Sequence, residues 1–386
     1  MAMLTKPLQL LGLASLVLSS VAEAILIPPP TGPFHVGRTR RTIHHINNHD
    51  PLAPNNVSTA FLATIIYPTK QEPRGPPQPY LWPGLAQFYE DRWNYSSGFL
   101  QSLTSVVQED APFLEGEVGK SPYPTLLFGS AGGGPPVDGN MILLSELASH
   151  GYTIIGLDHP FDQPYLLFPN GTAVIGTGWD AYYTGPQIVP IFEMRLNDTS
   201  VLVHRLDDFI CELQAPINST LVGALGFSLG GAAAIGSAYN ISLIKSALNM
   251  DGTMYDRAAA NTSQTDVGKP VFLFGHNEHL YDAALKEGDK SWGTFPLWQS
   301  DLRFMLVSNS TELDFFDNTF WRLIEPNPRL GGTIYPLRML NITNAYVKAF
   351  FDLTLLGEDS PIMNGPSAEY PEVRWYYKNG TQYGSS

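Results

Sequence analysis

A single cysteine, Cys211, stands among the 386 residues. No intrachain disulfide can form, and a chain of this length can build one large core without staples. Set among Leu206, Phe209, Ile210 and Leu213, Cys211 is expected to be a buried, inert thiol. Positive charge is also scarce: 22 Lys and Arg against 36 Asp and Glu leave a net charge of −14. That balance argues against nucleic acid or an anionic membrane surface as a main partner. Long apolar runs are missing too. Leu10–Leu18 is too short to span a bilayer unaided, and no later stretch suffices. His44, His45, His49 and Asp50 match neither H-E-x-x-H nor zinc-finger spacing and read as surface polar groups. No metal and no cofactor are expected.

What is present begins with a leader. Lys6, the apolar run and Ala22-Glu23-Ala24 have the pattern of a secretory signal peptide cleaved after Ala24. Residues 1–24 are therefore assigned to the signal and 25–386 to one domain. Asn56, Asn94, Asn170, Asn197, Asn218, Asn240, Asn261, Asn309, Asn341 and Asn379 each open an N-x-S/T sequon. Downstream of a signal peptide they predict a secreted, extracellular, heavily glycosylated protein.

Apolar runs alternate with helical periodicities, the pattern of a mostly parallel sheet flanked by helices. Strands are expected at Phe61–Tyr67, Thr125–Phe128, Thr153–Leu157, Leu221–Gly226, Ser246–Met250, Val271–Phe274 and Arg303–Val307. Helices are expected at Met141–Ser149, at Thr199–Leu213 with Asp198 and Thr199 at its start, and at Asn341–Leu356, ended by Gly357. Ile25–Pro33 and Pro68–Pro83 are proline-rich, and the second precedes a partly helical insertion reaching about Glu117.

The chemistry concentrates on Gly226-Phe227-Ser228-Leu229-Gly230. A buried strand precedes this G-x-S-x-G turn and a small-residue helix follows it, the context of a nucleophile elbow and an α/β-hydrolase fold. A serine attacks only when a base takes its proton and the developing charge is stabilised. The glycine loop Gly129–Gly134 follows an earlier strand, so Gly132 and the N–H of Leu229 are the expected oxyanion donors. Asp251 ends the strand after the elbow and is the candidate acid. Only His276 and His279 follow Asp251 in the chain, just past a strand end, so each is a candidate base. After the last strand, where the base of this fold sits, Val307–Asp317 contains no histidine. His159 is expected to be structural or to contact substrate, and His150 to close a helix.

With these residues in view, the chain resembles the platelet-activating-factor acetylhydrolase family of α/β-hydrolases, in its secreted fungal branch. The resemblance rests on Leu147–Tyr152, Asp158–Asp162, Gly226–Gly231 and Met250–Gly252, in that order and spacing. It implies Ser228 as nucleophile, Asp251 as acid and the loop around Ala131–Gly133 as one side of the oxyanion hole. Two positions depart from the family pattern. Phe227 replaces the usual histidine before the serine, and Glu312 occupies the column of the catalytic histidine in Glu312-Leu313-Asp314-Phe315-Phe316-Asp317. The expected function is a secreted serine ester hydrolase acting on short-acyl or phospholipid-like esters through an acyl-enzyme, with His276, His279 or Glu312 as base. The alternative is a hydrolase-fold glycoprotein that binds a ligand without turnover.

Overall fold

The computed structural model describes residues 24–176, 188–280, 282, 287–379 and 381–382. Of the predicted leader, residues 1–24, all but Ala24 lie outside them. An 11-stranded sheet organises the rest. Its main strands are β1 (His35–Asn47), β2 (Ser58–Thr69), β3 (Thr125–Gly129), β4 (Thr153–Asp158), β5 (Val222–Phe227), β6 (Ile244–Met250), β7 (Val271–His276), β8 (Leu302–Val307) and β9 (Val373–Lys378). The spatial order β4-β3-β5-β6-β7-β8 is parallel throughout. β2 and β1 extend it antiparallel beside β4, and β9 does so beside β8.

Alternation along each strand feeds two cores. Leu126, Phe128, Leu225, Phe227, Phe272 and Phe274 face one side, with the helices Met141–Ser149 and Pro336–Phe351. Leu127, Val222, Ala224, Val271 and Leu273 face the other, under Leu206–Leu213 and part of Leu229–Asn240. Each fully buried Phe or Leu contributes roughly 1.5–3 kcal/mol. The central strands have both faces covered, which is why they read as continuous apolar runs.

All seven expected strands form. Two others, β1 and β9, are additions. In β1 the alternate residues Arg38 and Arg40 share one face and both bond Asp138, at 2.9 and 2.6 Å, so a charged stretch is buried by pairing. The expected helix at Thr199 starts earlier: Ile188–His204 and Leu206–Leu213 are separate helices that meet at Arg205. Asp198 is therefore no cap; it lies inside the first helix and its carboxylate meets His159 Nδ1 at 2.8 Å. The last helix runs Pro336–Phe351, continues as a wider turn, and stops at left-handed Gly357 (φ 72°). The insertion contains the expected helix, at Pro83–Trp93.

Cys211 corrects an expectation. It is exposed, because Leu206, Phe209, Ile210 and Leu213 take the inward face of its helix. Asp50 is also corrected: it is buried, and its carboxylate accepts from the N–H groups of Leu52 and Ala53 at 3.0 and 3.2 Å. Among the described residues no helix is long and apolar enough to cross a membrane.

Candidate active site

The carboxyl ends of β5, β6, β7 and β8 supply one cleft. β5 ends at Phe227 and the next helix begins at Leu229, leaving Ser228 alone on the turn with φ 53° and ψ −124°. This strained backbone lifts the side chain above the sheet. The turn closes only because side chains are missing beside it. A Cβ on Gly230 would meet Gly129 O at 2.1 Å, and one on Gly252 would meet Ser228 O at 2.0 Å. The Ser228 N–H donates to Met250 O at 2.7 Å, which ties the elbow to the end of β6.

Asp251 follows β6 with φ 60°, fully enclosed. Its Oδ1 accepts the backbone N–H of His276 at 2.7 Å, and His276 Nδ1 lies 2.8 Å from both carboxylate oxygens. His279 approaches from the other side, with Nε2 at 3.3 Å from Oδ1. Burial pushes the Asp251 carboxyl up, but the contacts and charge of the two histidines outweigh it and bring it down to about 2. Burial opposes charge on both imidazoles, yet their carboxylate partners prevail: His276 is raised, and His279 reaches about 10. His279 Nδ1 also faces Asp289 at 3.2 Å, and its ring stacks on Trp292 with centroids 4.1 Å apart.

Glu312 arrives from the loop after β8, on a single turn closed by a Thr311–Asp314 capping box. Asp314 further binds the Gly332 N–H at 2.7 Å and pairs with Arg322, so the loop is held at several points. Ser228 and Glu312 line the same cleft, and the hydroxyl favours the charged form of the Glu312 carboxyl. Burial and the nearby Asp251 charge push Glu312 up to about 7, against the pull of that hydroxyl and of both histidines. Neither imidazole hydrogen-bonds the Ser228 hydroxyl. The sequence thus named the groups that meet here, and the structure places the residue in the histidine column among them.

The glycine loop that carries the expected oxyanion donor Gly132 is fixed from beneath. Arg195, buried, donates to the carbonyls of Ser130 and Ala131 and pairs with Asp162, whose other oxygen accepts the Gly133 N–H at 3.0 Å. Gln163 Nε2 binds the Ala131 carbonyl at 3.0 Å as well. With these carbonyls drawn away, the N–H groups of Ala131 and Gly132 have no acceptor among the described residues. The N–H of Leu229 starts a helix, where donors point outward. Arg195, Asp289 and Trp292 were missed in the sequence, since each acts by tertiary contact. Only Asp289, a side-chain cap two residues before Ser291, left a local signal.

Two cavities meet at Glu312. The polar cleft of about 820 Å³ contains Ser228, Asp251, His276, His279, Glu278, Glu287 and Asp289. A second, of about 240 Å³, is walled by Phe88, Tyr89, Trp93, Phe227, Leu313 and Phe316. The other expectations resolve simply. His159 is buried on Asp198, and His150 Nε2 bonds Glu146 at 3.0 Å near the end of its helix. Nine of the ten sequon asparagines are exposed and Asn218 is half-buried.

No protein-family model matches the chain. A probable 1-alkyl-2-acetylglycerophosphocholine esterase of Arthroderma benhamiae is 26% identical over 392 residues, covering 93% of this chain and 96% of the relative. This relative bears out the resemblance drawn from the motifs. Among solved structures, a ferulic acid esterase from Streptomyces cinnamoneus superposes with a TM-score of 0.73 at 21% identity, over 92% of this chain and 100% of that one. The fold is that of the α/β-hydrolases.

Proposed function

We propose that the protein is a secreted serine carboxylic-ester hydrolase in which Glu312 takes the proton of Ser228. The observation that carries this reading is that Ser228 shares its cleft with a carboxyl that burial holds at about 7 and that the serine hydroxyl pulls toward its charged form. A base works best with a pKa near the operating pH, and burial brings this carboxylate there. Ester hydrolysis is also the activity in the name of the relative from Arthroderma benhamiae.

Glu312 accepts the Oγ proton as Oγ forms a bond to the ester carbonyl carbon. The carbonyl oxygen becomes an oxyanion held by the N–H groups of Leu229 and Gly132. As it collapses, the carbonyl–alkoxy bond breaks and Glu312 returns the proton to the leaving alkoxide. Water then gives a proton to Glu312 and attacks the acyl-enzyme, and Ser228 leaves with that proton. Asp251 holds His276 beside this carboxyl, where imidazole charge favours the carboxylate that acts as base. The aromatic cavity suits a short acyl or alkyl chain, and the polar cleft suits a headgroup, which fits a phospholipid-like or short-acyl ester. The Ala22-Glu23-Ala24 site and the exposed sequons support secretion and glycosylation.

A second reading, ligand binding without turnover, is favoured by the missing histidine–serine bond. Hydrolysis of p-nitrophenyl acetate by the purified protein and by Ser228→Ala decides between them. Turnover that vanishes with Ser228 is expected; equal rates from both chains would sink the serine-esterase reading.

A further inference from the structure

Asp251, His276 and His279 do more than form a chain of polar contacts. Each offers one ligand atom, all three are buried, and these atoms lie within 4.8 Å of one another. The geometry points to a divalent transition-metal site of the zinc class at these three residues, whose filling silences the hydrolase. The site itself stands apart from the ester-hydrolase reading, whereas the silencing rests on it.

His279 carries the argument. Its Nδ1 is engaged by Asp289 at 3.2 Å, which leaves Nε2 as the atom directed at Asp251. That Nε2 is buried, and it meets the Asp251 carboxylate at 3.3 Å as an ion pair without hydrogen-bond alignment. A buried ring nitrogen that meets a carboxylate without that alignment needs a reason. A carboxylate on the far nitrogen of a histidine is the usual outer support of a metal-bound imidazole, fixing its tautomer and orientation. Asp289 is itself held by the N–H and hydroxyl of Ser291 at 2.8 and 2.7 Å, and Trp292 fixes the ring plane.

The spacing and the chemistry agree. A tetrahedral ion with bonds of about 2.0–2.2 Å keeps its ligand atoms roughly 3.4 Å apart. His279 Nε2 and Asp251 Oδ1 already stand 3.3 Å apart; His276 Nδ1, at 2.8 Å from Oδ1, must move back by about 0.6 Å to reach that separation, and all three ligand atoms start within 4.8 Å of one another. Two imidazoles with one carboxylate favour zinc-like ions over calcium or magnesium, which prefer all-oxygen shells. The fourth position opens to the cleft, where Glu278, Glu287 and Glu312 add negative charge and Lys290 is the one Lys or Arg of the described lining. On binding, the Nε2 proton of His279 leaves to solvent and the His276 proton moves from Nδ1 to Nε2, 3.5 Å from Glu278. The dipositive ion beside Glu312 then favours its carboxylate so strongly that it is too weak a base to take the Ser228 proton.

The test uses the full secreted chain carrying Ser228→Ala, stripped with EDTA and titrated with zinc chloride against a chromophoric chelator. One zinc per chain is expected. Asp289→Asn should weaken binding roughly 10–100-fold, and His279→Gln at least as much, while replacing His44, His45 and His49 together with Ala leaves it unchanged. No stoichiometric zinc, equal affinity in both Asp289→Asn and His279→Gln, or loss on changing the three surface histidines overturns the site. Circular dichroism matching the parent shows that each variant is folded. In the wild type, p-nitrophenyl acetate hydrolysis should fall in step with zinc occupancy and return with EDTA; full turnover at full occupancy overturns the silencing. Because the titration needs no turnover, an inactive wild type would count against the ester-hydrolase reading alone.

Discussion

Ser228 and Glu312 share one cleft at the carboxyl edge of one parallel sheet, and the serine hydroxyl favours the charged form of the Glu312 carboxyl. The elbow of this fold normally faces an imidazole. Here the imidazoles sit one strand over, on Asp251, and a carboxyl tuned by burial shares the cleft with Ser228. In the proposed mechanism Ser228 is the nucleophile and this carboxyl, rather than an imidazole, takes its proton.

Stability should run opposite to base ionisation. Burial is the leading cause that raises Glu312 and Asp158 to about 7 and Asp317 to about 8. A carboxyl with a raised folded-state value binds its proton more tightly when folded, so stability falls as pH rises from the ordinary carboxylate range through 7–8. His279, raised to about 10, adds stability that is complete below about 6.5 and lost as pH climbs toward 10. The melting temperature at pH 5 is expected to exceed that at pH 8 by scanning fluorimetry. A higher value at pH 8 would contradict these environments.

Arg195 should hold the oxyanion loop rather than merely fill space. Its guanidinium bonds two loop carbonyls and Asp162, all out of water. Arg195→Ala leaves Asp162 without that partner and is expected to cost roughly 3–5 kcal/mol. Arg195→Lys keeps the charge but loses the fork that spans both carbonyls. The Lys variant should lower kcat with KM nearly unchanged, since the loop acts on the oxyanion rather than on bound ester. A wild-type kcat in Arg195→Lys would remove the positioning role.

Glycan occupancy should separate Asn218 from the other sequons. Its Nδ2 donates to Ser121 O at 2.7 Å while its Oδ1 accepts from the N–H groups of Thr220 and Leu221. That amide is occupied in the turn before β5. Peptide mapping by mass spectrometry is expected to find Asn218 unmodified and exposed sites such as Asn170 and Asn341 modified. A glycan on Asn218 would show that this turn forms only after modification.

Much of this was legible in the chain because the central strands are short, apolar and punctuated. Thr125–Gly129, Val222–Phe227 and Val271–His276 announce themselves by composition, and the elbow by its glycines. β1 was hidden because His35–Asn47 carries three arginines, and its burial depends on Asp138 and Glu109, far away in sequence. Helix Ile188–His204 was misread because Asp198 resembles a cap while serving His159. The meeting of Ser228 with Glu312 was only half readable. Glu312 was visible in the histidine column, but its place in the serine's cleft depends on the stapled turn after β8.

The most direct test is the pH dependence of kcat/KM for p-nitrophenyl acetate in the wild type and in Glu312→Gln. Glu312 must be ionised to accept the Ser228 proton, so the wild-type rate should rise through about pH 7 and then level off. Glu312→Gln, close in shape but unable to accept the proton, should lower the rate by roughly 10²–10⁴-fold and abolish that inflection. A Gln variant that hydrolyses the ester at the wild-type rate, with the same inflection, would contradict the account and return the base to an imidazole.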